Sequence, residues 1–157
     1  MQLRKLFFTL AIFMSGIVAI SNFLVQFPVY YLGMENILTY AAFTYPITFL
    51  ITDLANRKYG KFTARKIVYL GFFTGIILTI FFSTNFDDLI SIRIAIGSGT
   101  AFLVAQLLDV SIFDLLRKKI WFVAPIVSSS LGSLVDTFLF FSISFYNTEI
   151  PWISLAI

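Results

Sequence analysis

The sequence predicts an all-α membrane protein, a polytopic helical bundle with five full transmembrane helices and the start of a sixth. Three observations predict it. The 157 residues are 59% hydrophobic, 18% aromatic and only 12% charged, and the mean hydropathy of +0.95 lies outside the range of soluble domains. Apolar runs long enough for a ~30 Å hydrocarbon slab recur along the chain. The basic residues gather in alternate connections, as the positive-inside rule requires of a multi-pass protein.

Composition also narrows the chemistry. With no His and no Cys, disulfides, thiolate metal sites, Cys or His nucleophiles and imidazole relays are excluded. No metal, cofactor or enzymatic activity is therefore expected, carboxylate chemistry being the one kind the composition leaves open. The net charge of +3 belongs to topology rather than to a nucleic-acid partner.

Span 1, residues 6–27, follows Arg4 and Lys5. A signal peptide is the competing reading, with Ala19 and Ser21 placed like a cleavage site, but the apolar run exceeds the usual ~7 to 15 residue core. Ser15, Asn22 and Gln26 fall on one stripe, suited to interhelical hydrogen bonds or to an inward polar lining. Span 2, residues 37–54, carries Pro46 near its middle, where the missing donor and the ring clash should kink it. Asp53 falls in its last turn, the unfavourable end of the helix dipole, with Arg57 four residues on to offset it as an interfacial ion pair. Gly60, in the basic stretch from Asn56 to Lys66, suits a left-handed turn.

Span 3, residues 67–83, has Gly71 and Gly75 in a G-x-x-x-G spacing that permits close helix contact. Asn85, Asp87 and Asp88 form an acidic turn before span 4, residues 89–116. At ~1.5 Å per residue span 4 is ~42 Å long, and it places Arg93, Gln106 and Asp109 inside an otherwise apolar segment. Arg93 and Asp109 are too far apart along it to pair. Span 5, residues 121–145, begins with Pro125 in its first turns and puts Ser129, Ser133 and Asp136 on one face. From Pro151 the chain reads as the start of a further span, and truncation is expected.

Counting Lys and Arg by connection puts every one except Arg93 on a single side, that of the N-terminus, which the positive-inside rule makes cytoplasmic. Glu35, Asp87, Asp88 and Glu149 lie in the opposite connections. No internal repeat, low-complexity segment or soluble domain is visible, so residues 1–157 form a single transmembrane domain.

A carboxylate near a bilayer centre costs about 2.5 to 3.5 kcal/mol on insertion scales. Asp109 and Asp136 therefore face a bundle interior or a water-filled cavity, as structural pairs or as ligand or proton sites. By depth, Asn22 and Asp136 lie just outside the midplane and Gln106 just inside it, while Asp53 and Asp109 both lie ~10 Å toward the cytoplasm. Asp114, a turn from the inner end, is expected at the interface, and Arg93 near the outer boundary can extend its stem toward headgroups.

These residues also carry a resemblance. Ser21-Asn22, Leu24-Val25-Gln26 and Pro28, Tyr45-Pro46, Thr52-Asp53-Leu54, Arg57 with Tyr59-Gly60, Ala64-Arg65, Arg93-Ile94-Ala95, Gln106-Leu107-Leu108-Asp109-Val110 with Ile112-Phe113, Trp121, Ala124-Pro125 and Gly132 through Val135-Asp136-Thr137 resemble the queuosine precursor transporter family, also called the vitamin uptake transporter family. The resemblance implies a six-span bacterial inner-membrane importer of 7-cyano-7-deazaguanine or 7-aminomethyl-7-deazaguanine, salvaged to make queuosine in tRNA. It also implies functional roles for Asn22, Asp53, Arg93, Gln106, Asp109 and Asp136, all counted as substrate-binding. Many family members have an acidic residue where Arg57 stands, and one bacterial branch has Arg, which this chain resembles; the family's sixth span, with its lysine, falls past Ile157.

On this reading Asp136 and Gln106 recognise the edge of the deazapurine, aromatic faces stack it, rocking of the spans gives alternating access, and either Asp109 or Asp53 is a candidate for a coupling proton. One rival is the substrate-binding subunit of an energy-coupling-factor vitamin transporter, which would need an ATPase-module partner. The other is a non-transporting truncated fragment.

Overall fold

The computed structural model describes residues 2–24, 27–31, 39–82 and 89–147. Helices are α1 (Gln2–Leu24), α2 (Ala41–Thr44), α3 (Pro46–Tyr59), α4 (Lys61–Phe82), α5 (Leu89–Leu116) and α6 (Val123–Phe145). Among the described residues the remaining regular pairing is an isolated antiparallel bridge between Pro28 and Thr39. Three stretches, Lys5–Leu24, Ile92–Leu116 and Val123–Phe145, are long and apolar enough to cross a membrane by length and composition. The expected segment from Pro151, together with Gln26, Glu35, Asn85, Asp87, Asp88 and Glu149, lies outside the described residues.

The largest departure from expectation is span 2. In place of one kinked helix over residues 37–54, a four-residue α2 meets α3 at Tyr45. Tyr45 keeps right-handed helical angles (φ −57°, ψ −40°) and its N–H bonds the Ala41 carbonyl at 2.8 Å. Pro46 has no N–H to extend that ladder, so α3 restarts with proline in its first turn, where a missing donor costs nothing. Helix α3 then continues past Leu54 to Tyr59, with Arg57 and Lys58 in the last turn complementing the dipole. Gly60 ends it at φ 84°, a conformation that glycine adopts without penalty. Asp53 is consequently mid-helix, not in a last turn. At 14 residues α3 is ~21 Å long, short of the hydrocarbon slab.

Helix α4 packs on α1, and α5 pairs along its length with α6. Glycines set both approaches. A Cβ at Gly71 would collide with Met14 of α1, and one at Gly75 with Val18, so the G-x-x-x-G spacing is the α1–α4 contact face. A Cβ at Gly97 would strike Ser144 of α6, and one at Gly132 would sit 3.3 Å from the Ala105 carbonyl of α5. The core between α1, α3, α4 and α5 is built from Met14, Val18, Ile51, Ile67, Phe102 and Val110. Large apolar side chains such as Phe13, Phe73, Leu134 and Phe138 point outward, as a lipid-facing surface requires.

The α3–α4 and α5–α6 connections meet at one end of the bundle. Arg117 Nη2 donates to the Arg57 carbonyl at 3.2 Å, the Arg57 guanidinium donates to the Trp121 carbonyl, and Arg117 pairs with Asp114 at 3.3 Å. The two basic connections are thereby held on the same face, and Arg57, expected to offset Asp53, is directed elsewhere.

The glycine contacts set a stability test. Gly71→Ala should destabilise the protein by about 1–3 kcal/mol through overpacking against Met14. Gly16→Ala, with nothing within 4 Å of the added carbon, should be neutral or stabilising by up to about 1 kcal/mol. Thermal unfolding of the two variants in detergent checks both.

Candidate functional site

A cavity of about 300 Å³ opens where the C-terminal end of α1, the α2–α3 junction, the first half of α5 and the middle of α6 converge. That volume is at the small end of ligand pockets, ~300–1,000 Å³. Asn22, Ser98, Ser133 and Asp136 line it with polar groups, and Tyr45, Phe49 and Phe140 line it with aromatic ones. The junction of α2 and α3 borders the room: both Tyr45 and Pro46 line the opening. A hydrogen bond of 2.7 Å between the Ser21 and Thr44 hydroxyls ties α1 to α2 at its edge. The Tyr45 ring packs edge-on to Phe102 of the core, centroids 6.0 Å apart, which fixes its orientation. Chemically the cavity offers a carboxylate with two acceptor oxygens, an amide that both donates and accepts, and flat apolar walls.

One turn further along α3 and α6 lies a second polar cluster, outside the cavity. Ser129 Oγ is 3.2 Å from Asp53 Oδ2 and 3.3 Å from Asp109 Oδ1, and Ser128 Oγ is 3.5 Å from Asp53 Oδ1. Asp53 is 5% exposed and Asp109 is fully enclosed. Gly132 separates the two places: a Cβ there would stand 2.7 Å from the Phe49 ring and 3.4 Å from Asp109 Cβ.

Gln106 joins neither. Its amide Nε2 donates to Thr48 Oγ1 at 2.8 Å and its Oε1 accepts from Thr52 Oγ1 at 2.7 Å, with all three side chains buried. It is a clamp between α3 and α5, repeated one turn on by Asn56, whose Nδ2 donates to the Val110 carbonyl at 2.8 Å. Arg93 is likewise separate. Its Nη2 donates to the Tyr146 carbonyl at 2.5 Å and lies 3.4 Å from that of Ile143, capping the C-terminal end of α6 where carbonyls lack partners and a cation suits the dipole. Of the six residues expected to bind substrate, Asn22 and Asp136 share the cavity, Asp53 and Asp109 share the adjacent cluster, and Gln106 and Arg93 hold helices together.

The polar stripes divide in the same way. Ser133 and Asp136 face the cavity whereas Ser129 faces the carboxylate pair. On α1, Asn22 lines the cavity, but Ser15 accepts from Thr74 of α4 at 2.6 Å. Reading the residues alone passed over Tyr45 as a cavity wall and passed over Ser98. The cue for Tyr45 was its place before proline, and for Ser98 the small-residue run Gly97-Ser98-Gly99, where a helix lets a neighbour or ligand approach closely.

The family whose sequence model is described as "Putative vitamin uptake transporter" matches residues 39–157. The chain is 38% identical to a "Probable queuosine precursor transporter" of Haemophilus influenzae, over 98% of this chain and 75% of that protein. It is 34% identical to the "Queuosine precursor transporter" of Escherichia coli, over 94% of this chain and 72% of the relative. A Bacillus subtilis "Probable queuosine precursor transporter" is 31% identical over 64% of this chain and 53% of its own length. No solved structure matches the chain.

The Gln106 clamp is open to a double-mutant cycle. Thr48→Val, Gln106→Leu and the pair together, followed by unfolding in detergent, should give a coupling energy of about 0.6 kcal/mol and no more than about 1.7 kcal/mol, the average and the maximum found for hydrogen bonds between membrane helices. Additive effects would show the clamp to be energetically silent.

Proposed function

The chain belongs to the vitamin uptake transporter family, and we propose that it imports the queuosine precursors 7-cyano-7-deazaguanine or 7-aminomethyl-7-deazaguanine across a bacterial inner membrane, for salvage into tRNA. The single observation that carries this reading to a site is the cavity holding Asp136 and Asn22 between aromatic walls. A deazaguanine presents a ring N–H and an exocyclic amino group side by side, a donor pair that one carboxylate accepts through two parallel bonds. Asp136 is assigned that role. Asn22 takes the remaining polar edge, and Tyr45 and Phe140 supply faces on which a flat bicyclic ring stacks.

The chain is one multi-pass domain of five full spans, α2 and α3 together forming the second. The N-terminus is cytoplasmic, because the basic α3–α4 and α5–α6 connections fall on its side. A membrane helix interrupted at a ligand cavity is a recurrent feature of secondary transporters, in which one bundle rocks against another around a fixed site. The interruption at Pro46 supports that mechanism here, and Gln106 contributes by keeping α3 and α5 in register rather than by touching substrate.

Queuosine content of tRNA is the direct readout. A bacterium unable to make or import the precursors, expressing this chain and fed low 7-cyano-7-deazaguanine, should recover queuosine. Asp136→Asn, which removes the charge and one acceptor, should lower import roughly ten- to hundredfold at unchanged membrane levels, since a charge-assisted hydrogen bond contributes about 1.5–3 kcal/mol. No recovery with wild-type protein present at normal membrane levels would overturn the import reading.

A further inference from the structure

Asp53 and Asp109 form a carboxylate pair that the cavity does not explain. We propose that, with Ser129 between them, they make a binding site for one exchangeable proton. The site is placed to carry the coupling ion of the import proposed above; only that coupling role rests on the import reading.

Ser129 Oγ lies at hydrogen-bonding distance from a carboxyl oxygen of each partner, 3.2 Å from Asp53 Oδ2 and 3.3 Å from Asp109 Oδ1. A hydroxyl has one hydrogen and can donate to one of them. The other contact would set lone pair against lone pair unless that carboxyl carries a proton and donates it to Oγ. One proton on the pair satisfies both contacts, whereas none leaves one of them repulsive. It belongs to the pair, not to either residue, since moving it from one carboxyl to the other only reverses the direction of the Ser129 bond.

A separate observation points to the same occupant. Asp109 is fully enclosed, and its second oxygen, Oδ2, has no hydrogen-bond partner. A bare carboxylate oxygen in that position is costly. Among the described residues no ion pair relieves it. Arg57, one turn from Asp53 on α3, donates to the Trp121 carbonyl and lies over the Phe113 ring, 5.4 Å from its centroid. Arg65 of α4 is directed to Ser111, 3.4 Å away. Arg93 of α5 caps the far end of α6, Lys5 of α1 is exposed at the start of its helix, and Asp136 of α6 is seven residues from Ser129, ~10 Å away. Among the described residues the ion pair is Arg117 with Asp114.

The position gives this proton a means of acting on the cavity. Gly132 of α6 packs between Phe49, which lines the cavity, and Asp109. A shift of α6 against α3 that admits or releases a ligand moves Ser128 and Ser129 relative to Asp53 and Asp109, and with them the geometry that holds the proton. Loading and unloading of the pair are thereby linked to the state of the cavity.

Infrared difference spectroscopy between acidic and alkaline pH, on the full chain reconstituted in lipid, reads the proton without any substrate. The wild type should show a carboxylic-acid C=O band that disappears on alkalinisation. It should be lost in Asp53→Asn and in Asp109→Asn, because one carboxylate beside an amide and a hydroxyl no longer needs a proton, and it should persist in Asp136→Asn. Replacing Na+ by choline should leave it unchanged. Absence of the band in wild type, its persistence in both pair variants, or its replacement by a Na+-dependent signal would each overturn the proposal. A failed import assay leaves the band unaffected and a missing band leaves import standing, so the two readings fail separately.

Discussion

Helix α3 carries Thr48, Thr52, Asp53 and Asn56 into the interior of the bundle, where all four are buried, and the neighbouring helices are arranged around meeting that demand. A buried polar group is costly unless it finds a partner inside the protein. Thr48, Thr52 and Asn56, four residues apart, turn to α5 and meet Gln106 and the Val110 carbonyl. Asp53 turns to α6 and meets Ser128 and Ser129. The shortest of the long helices thus lies against both of its longer neighbours, and the contacts that hold it there are specific in direction, unlike the apolar contacts between lipid-facing helices.

That arrangement depends on close approach elsewhere. Gly97 and Gly132 let α5 and α6 run together with their backbones nearly touching, and Gly71 and Gly75 make room on α4 for the Met14 and Val18 side chains of α1. In a bilayer the apolar surface gains little by leaving lipid, so packing of small residues and interhelical hydrogen bonds supply the association. The cavity lies where this close packing stops, at the break between α2 and α3. Proline at the start of α3 lacks the N–H that would carry the α2 ladder onward, and Tyr45 and Pro46 border the cavity there.

Two carboxylate environments result, about two turns apart along α6. Asp136 opens on the cavity. Asp53 and Asp109 are enclosed with two serines and are disposed to meet only what can pass between packed helices. Phe49 and Gly132 stand between them. The separation matters functionally because a group exchanging with the cavity and a group shielded from it can report on each other only through movement of the helices they share.

Much of the fold was legible in composition and periodicity. The apolar run of span 4 coincides with the helix α5, the G-x-x-x-G pair is a helix contact, and Gly60 has the positive φ its place in the turn calls for. These features are local: length, apolarity and glycine geometry act along one helix or one turn. Residue depth along a helix also brought Asp53 and Asp109 to the same level before any contact was known. What depth could not give was rotation. Gln106 and Arg93 stood out in the sequence because they are polar inside an apolar span, but polarity states a need for partners without naming them. The partners are Thr48 and Thr52 in one case and the last carbonyls of α6 in the other. The sequence by itself determined that the chain is helical, crosses a membrane more than once and holds charged groups within it. Only the tertiary structure decided which of those groups surround a cavity and which fasten helices, because that depends on how each helix is turned about its axis against neighbours distant in the chain.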